Sequence, residues 1–154
     1  MAVAPPARIP ANEAVGCLQP PTLAITRDAS AAAHVTGSNL LSVIDLKTGQ
    51  ERWNTVATPD GVIGVAFSPD GSVLASGAGF ADSTIRLWDA RSGRALGELK
   101  GNRGWTGQLA FLADGKHLVS CSADQTLRLW DIATRTVVRT FRGHKTEVWS
   151  FALL

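Results

Sequence analysis

A seven-residue segment occurs twice in this chain, and its spacing constrains the fold more than any other feature. Residues 83–89 read Ser-Thr-Ile-Arg-Leu-Trp-Asp, and residues 125–131 read Gln-Thr-Leu-Arg-Leu-Trp-Asp. The two tryptophans, Trp88 and Trp130, lie 42 residues apart. A fixed period of this size is typical of repeat architectures, in which each repeat is one small unit that buries its apolar face against its neighbours.

The similarity between the two copies extends well beyond the tryptophan. Phe67 precedes Phe111 by 44 residues, whereas Asp82 precedes Asp124 by only 42. The earlier copy therefore contains two additional residues, which fall within the segment 78–81, just before the aspartate of a turn.

Each copy is predicted to form four short strands. In the earlier copy, residues 62–67 are apolar and β-branched, and a Pro-Asp-Gly turn follows them. Short strands with a turn signal every 8–12 residues favour an all-β fold. A weaker copy lies upstream, where Ile44 has the position of the tryptophan. The other strands predicted in the earlier copy are 73–76, 84–88 and 95–99.

Together, the Trp-Asp pairs at 88–89 and 130–131, the Gly-His pair at 143–144 and the Phe-Ser-Pro-Asp-Gly run at 67–71 resemble the WD40 repeat family of β-propellers. The resemblance covers residues 22–154. It implies an all-β fold, namely a partial WD40-type β-propeller of about three four-stranded antiparallel blades plus one strand of a further blade.

The repeats also predict how the chain is divided, and they raise the question of ring closure. A closed propeller needs at least four blades. We therefore expect a fragment of a longer propeller protein, a ring completed by self-association, or a ring completed by blades of another protein. The predicted segments are a proline-rich lead-in at 1–21, a divergent first blade at 22–58, a second blade at 59–101, a third blade at 102–144 and the first strand of an incomplete fourth blade at 145–154.

In this family a His, a Ser or Thr, an Asp and the Trp form a hydrogen-bonded set that ties each blade together. The physical basis is that a buried indole N–H needs an acceptor. Both complete copies lack the His, so the resemblance implies networks that are incomplete or bridged by water. The implied members are Asn102, Ser120, Asp124 and Trp130 in the third blade, Thr58, Ser76, Asp82 and Trp88 in the second, and His144 for the fourth.

The resemblance further implies a partner-binding face, formed by the loops that link strand four to strand one and strand two to strand three. Aromatic side chains clustered on such loops are typical of interface hot spots. The alternative is that the two tryptophans of this set pack between blades as core. The residues implied to lie on this face are Trp105, Trp149, Phe80, Ile63 and Glu147.

Composition argues against several other functions. The formal net charge of +2 is too small to predict a nucleic-acid partner. No stretch approaches the roughly 18 apolar residues that span a membrane, and residues 1–10 lack the pattern of a signal peptide. Cytoplasm is thus the default location. Cys17 and Cys121 show no metal-ligand spacing, and the chain shows no nucleophile–base constellation. We expect no catalytic residue, metal or cofactor.

The leading hypothesis is a non-catalytic scaffold that binds a protein or peptide partner through the loop face. One alternative is a sensor or regulatory propeller within a larger signalling enzyme, such as a protein kinase. A remote alternative is a quinoprotein-like enzymatic propeller. It depends on the Asp…Thr-Gly…Trp pattern at residues 45–53, which appears fully only once.

Overall fold

The computed structural model describes residues 22–153, and within this range the chain forms twelve β-strands and no helix. Residues 22–153 therefore contain no helix that is long and apolar enough to cross a membrane. The proline-rich lead-in, including Cys17, lies outside the described residues. The strands are β1 (Leu23–Ile25), β2 (Ala31–Thr36), β3 (Leu40–Asp45), β4 (Glu51–Val56), β5 (Val62–Phe67), β6 (Val73–Ala78), β7 (Ile85–Asp89), β8 (Ala95–Leu99), β9 (Thr106–Phe111), β10 (His117–Ser122), β11 (Leu127–Asp131) and β12 (Thr136–Phe141).

The strands form three separate antiparallel sheets, each of four strands paired in chain order. We call β1–β4 the first blade, β5–β8 the second and β9–β12 the third. The innermost strands lie side by side, because β5 packs against both β1 and β9. The predicted all-β fold with three four-stranded antiparallel blades is confirmed, and the described residues form an open array that does not close into a ring.

A separate hydrophobic core fills each gap between neighbouring blades. Trp88 packs with Leu41 and Val43 in the core between the first and second blades. Trp130 packs with Leu87 and Leu99 in the core between the second and third blades. The period of 42 residues therefore corresponds to one tryptophan for each of these two interfaces.

Close backbone approach and a hydrogen bond also join the blades. A Cβ atom on Gly64 would overlap the carbonyl oxygen of Gly107 on the neighbouring inner strand, so only glycine fits there. On the outer side, the Trp53 indole donates a hydrogen bond of 2.9 Å to the Ala90 carbonyl and its ring packs against Gly93. Trp53, the end of the pattern that resembles quinoproteins, is thus a contact between blades.

Residues 147–153 do not form the strand that the sequence predicts at 145–154. A strand requires a neighbour to receive its ladder of hydrogen bonds, and the described residues offer no further sheet. The segment lies instead against the third blade. The Phe151 amide donates to the side-chain oxygen of Gln108 at 2.8 Å, and the Cys121 thiol donates to the Trp149 carbonyl at 3.2 Å.

Candidate functional site

The loops expected from the sequence to form a partner-binding face all lie at one end of the blade array. In an antiparallel blade of four strands in order, the connection from strand two to strand three lies at the same end as the connection to the next blade. The loops at 57–61, 79–84, 100–105 and 123–126 therefore share one end, which we call the loop face. The turns that link strands one and two, such as residues 26–30, lie at the opposite end.

Below the loop face, the third blade is tied together by two separate sets of hydrogen bonds. The Trp130 indole donates to Ser120 Oγ at 2.8 Å. Asp124 forms an ion pair of 2.7 Å with Arg128, and Arg128 also donates to the side-chain oxygen of Asn102 at 2.8 Å. The Asn102 amide in turn donates to Thr106. Arg128 thus connects the aspartate to Asn102, where the family has a His.

The second blade repeats this arrangement with small changes. The Trp88 indole donates to Ser76 Oγ at 2.9 Å, and Thr58 donates to the Asp82 carboxylate at 3.1 Å. Arg86 forms an ion pair of 2.6 Å with Asp82. Arg86 and Arg128 are members of these networks that the family pattern did not predict. The signal was available, since both copies carry Arg four residues after the turn aspartate.

These contacts set the charge state of the two turn aspartates. Burial acts to raise the pKa of Asp124, but hydrogen bonds from Thr126 and Arg128 outweigh it and lower the pKa below the usual value. For Asp82 the same balance holds, with Thr84 and Arg86 as the donors. Both carboxylates are therefore ionised near neutral pH and act as structural anchors.

A cavity of about 380 Å³ opens on the loop face. Its lining includes Ile63, Phe80, Trp105 and Trp149, so four of the five residues proposed for partner binding meet at one place. Ile63 is half-buried at its wall. Glu147 is exposed and does not line it. His144, implied for a fourth blade, is also exposed, and in the described residues it belongs to no strand.

The three aromatic rings at the cavity differ in exposure. Phe80 is 67% exposed and Trp149 is 42% exposed, whereas Trp105 is completely buried. Trp149 packs on Trp105 with ring centroids 4.0 Å apart, and Phe80 meets Trp105 edge-on at 6.4 Å. Trp105 is therefore not exposed for direct contact with a partner. It packs as core, which was the alternative reading of this residue. It supports the two exposed rings from below.

The two-residue insertion of the second repeat builds the rim of the cavity. The Gly79 amide donates to the Gly61 carbonyl at 2.9 Å, and the Ala81 amide donates to the Asp60 carboxylate. A side chain at Gly79 would collide with Asp60, so glycine allows this close approach. These bonds hold the intervening Phe80 at the entrance.

Metal-ligand clusters and the reactivity of the cysteine near this face can be assessed directly. No group of three or more His, Cys, Asp or Glu side chains within residues 22–153 could hold a metal ion. Cys121 lies beneath Trp149, and burial raises the pKa of its thiol to about 11. The thiol is therefore protonated near neutral pH and is a poor nucleophile.

The fold and this site define a class of protein, the β-propellers built from four-stranded blades that present loops at one end. Residues 52–89 and 93–131 match the family described as WD domain, G-beta repeat, and together these ranges cover half of the chain. The chain belongs to the WD40 repeat family.

Two relatives that are themselves named as WD repeat proteins agree with this family assignment. An uncharacterized WD repeat-containing protein of Synechocystis is 35% identical over 103 residues, covering 67% of this chain and 29% of that protein. WD repeat-containing protein 1 of Xenopus tropicalis is 41% identical over 80 residues, covering 50% of this chain and 13% of that protein. The chain thus spans less than a third of the length of either relative. Among solved structures, U3-55K superimposes with a TM-score of 0.76 at 27% identity, covering 86% of this chain and 42% of that one.

Proposed function

We propose that this WD40 repeat protein is a non-catalytic interaction scaffold that binds a peptide segment of a partner protein at the loop-face cavity. The observation that carries the proposal is the pair of exposed aromatic rings, Phe80 and Trp149, above a single concave site. Large aromatic side chains at a concave surface are the groups that dominate binding energy in protein interfaces.

The structure of the site supports binding in a second way. The exposed rings rest on the buried Trp105, and backbone hydrogen bonds to residues 60 and 61 fix the Phe80 loop. A surface that is ordered before binding loses less conformational entropy when a partner docks. An exposed apolar site that is rigid and concave therefore favours recognition of a peptide.

A peptide library displayed on phage and selected against the immobilised 154-residue chain tests this proposal. We expect enriched peptides whose affinity falls at least about tenfold with Phe80→Ala or Trp149→Ala, the loss typical of a hot-spot aromatic. Phe141→Ala is the matched control, because Phe141 is also 42% exposed but lies on the outermost strand and does not line the cavity. Selected peptides that bind equally well to all three variants would place the binding surface elsewhere.

A further inference from the structure

Among the described residues that line the loop-face cavity, one is charged, namely Asp60. Within residues 22–153 no basic side chain forms an ion pair with it, in contrast to Asp82 and Asp124, which are paired with arginines. The hydrogen bond found for its carboxylate, from the Ala81 amide, goes to Oδ2. No donor from the described part of the chain contacts Asp60 Oδ1, which can therefore accept one further hydrogen bond.

The other groups at the entrance also attract positive charge. The faces of aromatic rings carry partial negative charge and bind ammonium groups, an interaction that is strongest when water is excluded. Phe80 and Trp149 line the same cavity as Asp60. Phe80 also lies next to Ala81, whose amide donates a hydrogen bond to the Asp60 carboxylate. The site thus combines a carboxylate with two exposed aromatic rings.

We infer that the cavity binds the ammonium group of a lysine side chain, unmodified or singly or doubly methylated, on the partner peptide. This inference rests on the proposed function and names the chemistry of its ligand. The apolar stem of lysine would pack on Ile63 and Phe80, while the ammonium N–H would donate to Asp60 Oδ1. A neutral apolar occupant would desolvate Asp60 without giving it a partner, which is unfavourable.

The same geometry disfavours arginine. Guanidinium groups gain most from a carboxylate that offers both oxygens to two parallel N–H donors. Asp60 Oδ2 already accepts the Ala81 amide, so a bidentate pair would compete with the bond that holds the Phe80 loop. An ammonium group, as a compact charge with rotatable donors, requires one oxygen only.

The insertion of the second repeat accounts for the position of this site. The third repeat lacks the two extra residues, and the position 44 residues after Asp60, the offset between the two repeats in this region, is occupied by Gly104. The inserted segment therefore supplies both the Phe80 ring and the amide that orients Asp60. No equivalent pair of groups exists on the third blade.

A titration of the full chain followed by NMR tests the inference, with N-acetyl-lysine-N-methylamide as the probe and the indole ¹⁵N–¹H signals of Trp105 and Trp149 as the readout. We expect saturable shifts of these two signals, and much smaller ones with the norleucine analogue, which has the same stem but no charge. Asp60→Asn should weaken lysine binding about tenfold, the effect of one charge-assisted hydrogen bond. The matched control is Asp28→Asn, at the opposite end of the blades.

Because Asp60→Asn could disturb the Phe80 loop, Phe80→Leu is the second variant. It keeps an apolar side chain but removes the π face, and it should weaken the lysine probe several-fold while leaving the norleucine probe unchanged. Equal shifts with lysine and norleucine, tighter binding of the arginine analogue, or no shift with any probe would overturn the inference. Phage-selected peptides that depend on Phe80 and Trp149 but contain no lysine would also overturn it, and the proposed function would stand.

Discussion

The second and third blades are close copies in their interior and differ at the loop face. Both bury a tryptophan whose indole donates to a serine, and both pair the turn aspartate with an arginine four residues later. Only the second blade carries the inserted segment that places Phe80 at the cavity. The shared features hold each blade together, whereas the feature that differs is the one exposed to a partner.

This contrast separates stability from binding within a single repeat. Changes to the shared groups should unfold the chain without any specific effect on recognition, because those groups are buried. Changes to the inserted segment should affect binding and leave stability nearly unchanged. Substitutions in the two kinds of group test that separation, because the expected changes in stability run from several kcal/mol to almost none.

The largest effect is expected for Trp130→Ala. Trp130 is fully buried in the core between the second and third blades, so its truncation leaves a cavity and removes the partner of Ser120. We expect a loss of about 4 kcal/mol in the free energy of unfolding, and a comparable loss for Trp88→Ala. Urea unfolding followed by far-UV circular dichroism measures both. Phe141→Ala is the control, and a similar loss there would show that the core tryptophans are not special.

The two arginines that pair with the turn aspartates are expected to differ in how much they contribute to the free energy of unfolding. Arg128→Met removes the ion-pair partner of Asp124 in a pair whose side chains are only 9% and 12% exposed, and we expect a loss of about 3 kcal/mol because a buried carboxylate then has no counter-ion. Arg86→Met should cost about 1 kcal/mol, since Arg86 and Asp82 are 22% and 18% exposed and water can solvate the remaining carboxylate. Urea unfolding of the two variants compares them directly, and an equal loss would contradict the role of burial.

Much of the fold follows from the sequence, for an identifiable reason. Strands β5 and β8 have the predicted bounds, and the insertion lies where the two offsets place it. Repeats make such predictions strong, because a pattern that occurs twice separates the shared signal from local variation. Each blade sheet is also built from contacts close in sequence, so local patterns largely determine it.

The site was less predictable because its geometry depends on contacts between distant segments. The family pattern pointed to a missing His, but the sequence could not show that Arg128 connects Asp124 to Asn102, the residue at the position of that His. Trp105 lies in a loop, and its burial depends on Trp149, 44 residues later. Residues 147–153 have strand-forming composition, yet a strand forms only where another strand can pair with it.

The pH dependence of stability gives a third test of the shared networks. The folded-state pKa values of Asp124 and Asp82 are lowered, so their stabilisation is fully present above the usual aspartate pKa of 3.8. It is lost as the pH falls through the lower folded pKa, because the unfolded chain then binds more protons. Urea unfolding between pH 6 and pH 2.5 should show declining stability, with a shallower decline in Asp124→Asn. An unchanged slope in that variant would mean that other carboxylates dominate.

The smallest change in stability, and the clearest change in binding, is expected for the inserted segment. Phe80 is 67% exposed, so Phe80→Ala should alter the free energy of unfolding by less than about 0.5 kcal/mol.

Deleting residues 79 and 80 should convert the second-blade loop toward the length of the third and abolish peptide binding at the cavity. Because β6 and β7 pair through residues outside the deletion, the blade should still form, as far-UV circular dichroism would show. A folded deletion variant that binds selected peptides as tightly as the parent chain would contradict the assignment of binding to the inserted segment, since recognition would then depend on features that the two blades share.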